Sequence, residues 1–255
     1  MAAVAVIAAL SPGTARACVS VQTEASRIAI VEDNFDILLA DGRVAVLAGF
    51  APQPDAPGYG PFRERLAGGA VRLAQLEPKP DRWGRIPVWM STGSKEDAGL
   101  AGEALAAGLG RYRPDPAARP CRAGLLAAEQ AARAARRGLW SEPRPGVLDV
   151  TDTGAVLAAA KAYVVIEGRI LTIGERRGRL YLNFGARRTT DFSIVISRRN
   201  AALIEKAGLP LRKLAGRRLR ARGLLDRGFG PLMEITSADA LELLDEAPGA
   251  TETKQ

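Results

Sequence analysis

Short apolar segments bounded by Gly, Pro or Asp turns recur in both halves of this sequence. Their alternating or β-branched composition predicts strands, whereas two later segments carry the helical period of apolar residues. The predicted strands of the first half are Arg27–Val31, Ile37–Ala40, Val44–Ala48, Ala70–Leu76 and Ile86–Met90, and the predicted helices are Leu100–Leu109 and Ala123–Arg137. Five short strands followed by helices predict a small barrel of the OB type.

The second half repeats this plan with a helix between its third and fourth strands. The predicted strands are Ala162–Ile173, Leu180–Gly185, Asp191–Ile196, Arg217–Leu225 and Leu232–Ile235, with a helix over Ala201–Ala207 capped by Asn200. The order β-β-β-α-β-β is typical of an OB barrel. The predicted fold class is therefore mixed α+β, with one OB-like β-barrel carrying helices followed by a second.

A segment rich in Pro, Gly, Asp and Thr, Ser141 to Gly154, separates the two halves. We therefore predict a first domain over residues 27–142, a linker at 143–155, a basic β-domain over 156–245 and a disordered tail at 246–255.

The sequence opens with an apolar run, Met1 to Leu10, followed by Ser11-Pro12-Gly13 and Ala15-Arg16-Ala17. The run is too short to cross a bilayer, and a small-residue cleavage site follows it, which is typical of a secretory signal peptide although the basic n-region is missing. We expect residues 1–17 to be removed and the protein to be periplasmic or secreted, with no transmembrane segment. The alternative is a buried N-terminal strand or helix.

The sequence contains no histidine and 2 cysteines. This composition excludes Ser-His-Asp and Cys-His nucleophiles, a histidine general base, histidine metal ligands and a four-thiolate zinc site. Any chemistry must rest on carboxylates, Arg, Lys, Tyr, hydroxyls or an oxygen-ligated metal. After export, Cys18 and Cys121 are able to form one disulfide, or they remain two unpaired thiols.

Basic residues are concentrated in the second half. Residues 150–245 hold 17 Lys+Arg and 10 Asp+Glu, a net charge of +7, against +2 for residues 1–149. This excess predicts attraction to a polyanion such as nucleic acid or an anionic membrane surface. The alternative is a composition bias, because 30 of the 36 basic residues are Arg.

Three arginines, Arg218, Arg220 and Arg222, share one face of a predicted strand, while Leu219 and Ala221 face the core. Together with nearby Arg and aromatic residues they are predicted to line a groove in which Arg binds phosphates and aromatic rings stack on bases. The other candidates are Arg187, Arg188, Arg198, Arg199, Tyr181, Phe184 and Phe192. The alternative is a solvated strand face with the aromatic residues in the core.

Four motifs follow one another in the first half. They are Leu39-Ala40-Asp41-Gly42-Arg43-Val44 with Gly49-Phe50-Ala51-Pro52, then Asp81-Arg82-Trp83-Gly84-Arg85, then Ala101 to Gly110, and finally Ala128-Glu129 to Gly138-Leu139-Trp140. In this order and spacing, residues 27–142 resemble staphylococcal-nuclease-like (thermonuclease) domains. The second half resembles the C-terminal half of two-domain bacterial thermonuclease-like proteins. The resemblance implies an OB-fold barrel and calcium-dependent hydrolysis of phosphodiesters.

The family's catalytic set is largely missing. In that family two Asp residues hold the calcium ion. The first aligns with Phe35. The second has no counterpart, because the segment Gly49 to Pro52 is one residue short and carries no carboxylate. Asp33 matches the Asp that opens the first motif. The resemblance thus implies a disabled metal site.

The remaining catalytic positions give the same result. The Glu that orders the attacking water aligns with Gln53, and the first of two phosphate-binding arginines aligns with Val46. Only Arg85 is retained. The resemblance therefore implies a degenerate site, and we expect no hydrolysis.

Nearby carboxylates offer an alternative. Asp33 and Asp36 are candidate metal ligands, and Asp55 follows Gln53 by two residues, so an active calcium-dependent nuclease with relocated carboxylates stays possible. A third hypothesis is an envelope scaffold that binds proteins. No cofactor is expected unless activity is retained, in which case it is Ca²⁺.

Several motif residues have structural explanations. Asp81 is expected to cap its turn, Trp83 to pack on the barrel and Gly84 to adopt positive φ. Glu129 and Arg133 form an i, i+4 pair on a predicted helix, worth about 0.3–0.5 kcal/mol if exposed. Trp140 is expected to anchor the helix end in the core.

Overall fold

A computed structural model describes residues 22–93, 98–141, 146–228 and 230–244. The strands are β1 (Glu24–Val31), β2 (Ile37–Leu39), β3 (Val44–Leu47), β4 (Phe50–Pro52), β5 (Ala70–Gln75), β6 (Arg85–Ser91), β7 (Gly110–Tyr112), β8 (Leu148–Asp149), β9 (Tyr163–Arg169), β10 (Thr172–Arg176), β11 (Arg179–Asn183), β12 (Ser193–Ser197), β13 (Arg218–Arg227), β14 (Pro231–Glu234) and β15 (Leu241–Leu243). The α-helices are α1 (Tyr59–Leu66), α2 (Gly99–Ala106), α3 (Arg122–Ala134), α4 (Thr153–Ala158) and α5 (Arg198–Lys206).

The first unit is a closed barrel of five strands in the order β1-β2-β3-β6-β5. Its five strands are those predicted from the sequence. All neighbours are antiparallel except β3 and β6, which run parallel. Inward-facing residues such as Ile28, Leu39, Leu47 and Leu73 are at most 1% exposed, since alternate positions of each strand point into the barrel.

Helices α2 and α3 pack on each other and close one side of the barrel. Their start and end lie within a few residues of the predicted helices. Helix α1 occupies a segment whose Pro and Gly content predicts a loop. Its proline, Pro61, lies in the first turn, where the missing N–H has no intrahelical partner to lose. The short strands β4 and β7 pair beside the barrel.

The second unit is a sheet whose path runs β10-β11-β12-β14-β13-β9-β8, with β15 also paired to β13. A single strand was predicted over Ala162–Ile173, but the structure divides this segment into β9 and β10. Two residues separate β9 from β10, and the first of them, Ile170, is fully buried.

Helix α5 connects β12 to β13, as the predicted order requires, but its N-cap is Ser197, whose hydroxyl accepts a hydrogen bond from the Asn200 backbone N–H. Strand β8 and the beginning of α4 lie in the segment 143–155. Strand β8 pairs in parallel with β9, so that part of the predicted linker belongs to the second sheet. Three predicted features lie outside the described residues: the predicted signal peptide at 1–17, Cys18, and the predicted tail at 246–255.

The chain is therefore a mixed α+β protein with a closed five-stranded barrel and helices, as predicted, and with a second sheet at the place where a second barrel was predicted. None of the helices in the described ranges is both long and apolar enough to cross a membrane.

The two units pack on each other through one face of β9. Val164 and Ile166 point into the second core, whereas Val165 packs with Leu139, Trp140 and other buried residues of the first unit. Both faces of β9 are thus buried, which explains why this strand is a continuous apolar run in the sequence. Trp140 is 7% exposed and anchors the helix end as expected.

A buried ion pair joins the units beside this apolar contact. Glu129 of α3 and Arg222 of β13 have side chains that are 0% exposed and lie 2.8 Å apart. Glu129 also accepts a hydrogen bond from the Tyr112 backbone N–H at 2.7 Å, and Arg222 donates to the Tyr112 carbonyl at 3.2 Å. Glu129 and Arg133 form the predicted i, i+4 pair, with charged atoms 3.9 Å apart, but their side chains are 0% and 14% exposed, so this is not an exposed surface pair.

Two further strands complete the network. Arg222 binds Glu242 of β15, and Arg220 binds both Glu167 at 2.6 Å and Glu242 at 3.1 Å. Arg220 lies directly opposite Glu167 and Glu242 in the strand register, so these are cross-strand pairs on one face of the sheet.

We expect Arg222→Met to lower the free energy of unfolding by about 3–5 kcal/mol, because the substitution leaves Glu129 buried without its counter-ion. The measurement is urea denaturation followed by tryptophan fluorescence. Arg212→Gln is the matched control, because Arg212 pairs with Glu175 and Glu205 at a side chain that is 48% exposed, where such pairs contribute about 0–1 kcal/mol. Equal effects of the two substitutions would contradict the assignment.

The same network predicts acid sensitivity. Burial acts to raise the pKa of Glu242, but the charge of Arg222 outweighs it and holds that pKa below the ordinary value of 4.5. The ionised Glu242 therefore stabilises the folded state at pH values well above 4.5, and this stabilisation is lost as the pH falls through the lowered pKa. Unfolding free energies measured between pH 7 and 3 should fall more steeply in the wild type than in Glu242→Gln. Parallel curves would show that Glu242 makes no such contribution.

Candidate functional site

Aromatic rings fill the corner at which the resemblance places the metal. Phe35 and Phe50 are each 2% exposed, and their ring centroids lie 5.2 Å apart in an edge-to-face contact. Tyr59 and Phe62 extend the cluster from α1, at 5.6 and 6.2 Å from Phe35. Burial raises the pKa of Tyr59 to about 12, so its hydroxyl stays protonated and donates to the Asp33 carbonyl at 2.8 Å.

The predicted metal ligands lie beside this cluster but are engaged with cations. Asp33 is exposed and pairs with Arg63. Asp36 accepts hydrogen bonds from Arg85 and from Asn34, both at 3.0 Å. Within the described residues, no group of three or more Asp, Glu, Cys or His is arranged to hold a metal ion.

Arg85, which the resemblance aligns with a catalytic arginine, lies between two carboxylates. Asp81 binds it at 2.8 and 2.9 Å and also accepts the backbone N–H groups of Trp83 and Arg85, so Asp81 caps the turn as expected. Burial acts to lower the pKa of Arg85, but the bond to Asp81 and the charge of Asp36 outweigh it and raise that pKa. Gly84 has φ +78°, also as expected, whereas Trp83 is 63% exposed and does not pack on the barrel.

Gln53, which the resemblance aligns with the family's water-ordering Glu, has a neutral side chain. Gln53 accepts a hydrogen bond from Arg111 at 2.6 Å and donates to Asp55. The amide of Gln53 has no carboxylate to accept a proton from water, and its carbonyl oxygen is already bound to a cation. The first unit therefore contains an apolar corner and paired charges at the aligned catalytic positions.

We expect Phe35→Ala to lower the free energy of unfolding by about 3–5 kcal/mol, because the substitution removes a fully packed ring from this corner. Trp83→Ala is the control, since its ring is mostly exposed and we expect a change within about 0.5 kcal/mol. Thermal and urea unfolding of both variants test this. A loss confined to Trp83→Ala would contradict the role of the Phe35 cluster.

The groove predicted along β13 does not form as such. Leu219 and Ala221 face the core, as the alternation predicts, but the opposite face packs on the first unit and is not a solvated surface. Arg222 and Arg220 form ion pairs with Glu129, Glu167 and Glu242. Because the Arg222 side chain is 0% exposed, a phosphate in solution cannot reach it. Arg218 is half-exposed and lies 3.8 Å from Glu167.

A different basic surface lies on the outer face of the second sheet. A cleft of about 700 Å³ crosses β10, β11, β12 and β14, and we call it the sheet cleft. Its lining residues are Gly174, Glu175, Arg176, Arg177, Tyr181, Asn183, Arg188, Thr189, Ser193, Gly230, Pro231 and Leu232. Of the residues predicted for nucleic-acid binding, Tyr181 and Arg188 lie here.

A tight hairpin turn places two of the arginines at one end of the sheet cleft. Arg176 and Arg179 are paired across the hairpin, so only Arg177 and Gly178 form the loop. Their φ angles are +51° and +73°, as a type I′ turn requires. The left-handed conformation of Arg177 directs the chain so that two adjacent arginines stand at the exposed tip.

The loop after β11 supplies the third arginine. The Asp191 carboxylate accepts the backbone N–H of Arg187 at 2.8 Å, which lowers the pKa of Asp191 and closes the loop. Gly230 lies so close that a Cβ there would collide with the Arg188 carbonyl oxygen. This close approach requires glycine and fixes Arg188 against the start of β14. Arg187 is exposed on the same loop but does not line the sheet cleft.

A row of polar side chains and one aromatic ring lie in the sheet cleft, whose lining also includes the apolar Pro231 and Leu232. Asn183 donates to Thr172 at 3.1 Å and accepts from Ser193 at 3.2 Å, forming a row across three strands. Tyr181 lies on the same face, opposite Gly174, which has no side chain to cover the ring. Phe184 packs on Phe192 with 5.2 Å between ring centroids, and Phe192 is in the core.

Three arginines of the sheet cleft have no ion-pair partner among the described residues. No salt bridge or side-chain hydrogen bond joins Arg176, Arg177 or Arg188 to another residue in the described part of the chain. Glu175 also lines the sheet cleft, and it pairs with Arg212 at 3.2 Å. Three exposed guanidinium groups therefore surround a partly buried tyrosine, an arrangement suited to phosphates and stacked bases.

The sequence pattern predicts a turn over Gly174 to Gly178 but does not indicate that Arg176 and Arg177 line a cleft. A signal for their exposure is present, since Arg-Arg-Gly between alternating segments is compatible with a two-residue hairpin that exposes both arginines. Arg198 and Arg199, also predicted for the groove, begin α5 and do not line the sheet cleft.

Cys121 is buried and takes part in a disulfide. Its predicted partner, Cys18, lies outside the described residues, so the pairing stays a prediction.

No protein-family model matches the chain, and no curated protein matches it significantly.

Proposed function

We propose that this chain is a catalytically degenerate thermonuclease-like protein that binds single-stranded nucleic acid through the sheet cleft. The observation that carries the proposal is the juxtaposition of Arg176, Arg177 and Arg188, all without carboxylate partners among the described residues, around Tyr181. Phosphates bind to the guanidinium groups, a base stacks on the tyrosine ring, and the row of polar side chains binds sugars or base edges.

The proposed assignment to the OB fold rests on strand order. Among the barrel strands β1, β2, β3, β5 and β6 of the first unit, the third pairs in parallel with the fifth, and the fourth pairs with the first. The second unit has the same order when β9 and β10 are counted as one strand, followed by β11, β12, β13 and β14. OB folds bind oligonucleotides on the face of strands 2 and 3 and on the loops beside it. In the second unit that face is β11 and β12, where the sheet cleft lies.

Loss of hydrolysis is proposed because the aligned metal corner is apolar. Removing a carboxylate that holds the metal and the one that orders water removes several kcal/mol of transition-state stabilisation. The contact between Phe35 and Phe50 supports this proposal, since calcium requires six to eight oxygen ligands. Export to the periplasm or beyond remains part of the proposal and rests on residues 1–17.

The test is fluorescence anisotropy of labelled single-stranded DNA and RNA with the full chain, at 50 and 200 mM salt, with and without calcium. We expect intact oligonucleotide, bound more weakly at the higher salt because phosphate neutralisation releases counterions. Arg176→Gln with Arg188→Gln should reduce the salt slope by about 1–2, and Tyr181→Ala should weaken binding by about 1–3 kcal/mol.

The matched control is Arg65→Gln with Lys79→Gln, which removes the same charge from exposed positions of the first unit. If the control weakens binding as much as the sheet-cleft variant, net charge and not the sheet cleft explains the affinity. Heparin as competitor separates nucleic-acid recognition from general polyanion binding. Calcium-dependent cleavage that Arg85→Ala abolishes would instead support the nuclease hypothesis, and absence of both binding and cleavage would support a protein scaffold.

A further inference from the structure

A second cleft, of about 660 Å³, lies between the two units, and we call it the inter-unit cleft. One wall is the segment 113–119 of the first unit. The other wall comes from α5 and from residues 234–240 of the second unit. Its volume is in the range of sites for small molecules, which occur preferentially at domain interfaces.

One end of the inter-unit cleft is positive. Arg113 is half-buried, and no salt bridge or side-chain hydrogen bond joins it to another described residue. Arg222 forms part of the wall, and its buried Nε–H has no hydrogen-bond partner in the described structure. Burial raises the pKa of Tyr163, while the charges of Arg222 and Arg113 act against it, so both cations lie near this phenol.

The carboxylates of the inter-unit cleft do not neutralise Arg113. Asp239 is bound by Arg119 at 3.3 Å and by Arg122 at 3.1 Å. Asp115 accepts the backbone N–H of Ala117 at 2.9 Å, and Glu234 is exposed at the surface. A partly buried guanidinium without a counter-ion is unfavourable, and an anionic ligand would compensate it.

Part of the lining of the inter-unit cleft is apolar. Leu203 of α5 is 55% exposed, although Ile204 beside it is 1% exposed and belongs to the second core. Ala207 continues the same surface at the end of the helix. A large exposed leucine at the edge of a cleft is a surface that an apolar group would cover.

We propose that the inter-unit cleft binds a small amphipathic carboxylate, with the carboxylate at Arg113 and the apolar part on Leu203. This site is separate from the sheet cleft and does not depend on nucleic-acid binding. Because both units line the inter-unit cleft, its ligand should also stabilise their packing by binding only the folded, docked state.

The experiment is isothermal titration calorimetry of the full chain with decanoate below its micelle concentration, together with thermal unfolding. We expect saturable binding and a rise in unfolding temperature. Decanol, which has the same chain without the charge, should bind at least 10-fold more weakly. Trileucine with a free carboxylate, compared with its amide, distinguishes a peptide terminus from a fatty acid as the source of the same chemistry.

Two variants locate the site. Arg113→Gln should weaken decanoate binding at least 10-fold, and Leu203→Ser, at an exposed position that the fold does not need, should weaken it several-fold. Arg65→Gln is the control and should change neither. Absence of decanoate binding, or binding that Arg113→Gln leaves intact, would overturn the proposal. Binding of single-stranded DNA by Arg113→Gln should match the wild type, so failure here is distinguishable from failure of the proposed function.

Discussion

The ion pair between Glu129 and Arg222 is the interaction on which the arrangement of the two units depends. Glu129 connects α3 to β7 through the Tyr112 N–H, and Arg222 reaches the same carboxylate and the Tyr112 carbonyl from the other unit. Tyr163 donates to that carbonyl as well, at 3.1 Å. Two fully buried charges are tolerated because each compensates the other, and neither unit alone would provide that compensation.

This network separates the arginines of the second unit into two groups. Those on β13 that face the first unit are paired with Glu129, Glu167 and Glu242 and hold the structure together. Those on the β10–β11 turn and on the loop after β11 have no such partners among the described residues. The net charge of +7 over residues 150–245 is therefore unevenly distributed. Glutamates neutralise most of the positive charge on β13, whereas the arginines around the sheet cleft keep theirs available to a ligand.

In the first unit, a cluster of aromatic rings fills one corner beside the barrel. Phe35 adopts φ +65°, a conformation in which phenylalanine is uncommon, and its ring packs on Phe50 and Tyr59. The packing of three rings offsets the backbone strain. Arg85 is balanced by Asp36 and Asp81, so the corner carries no excess positive charge for phosphate. The uncompensated arginines lie instead in the second unit.

Apart from the short strands β4, β7, β8 and β15 and the break between β9 and β10, the sequence by itself predicted the strands of both units and the helix between β12 and β13. These features depend on local periodicity and turn residues. It did not determine helix α1, because a proline in the first turn of a helix looks the same as one in a loop. The sequence also does not show that Arg222 is buried while Arg188 is exposed, since both are candidates for the same binding surface. Only the tertiary structure decided that Arg222 is buried and Arg188 is not, because burial of an outer face depends on which distant segment packs against it.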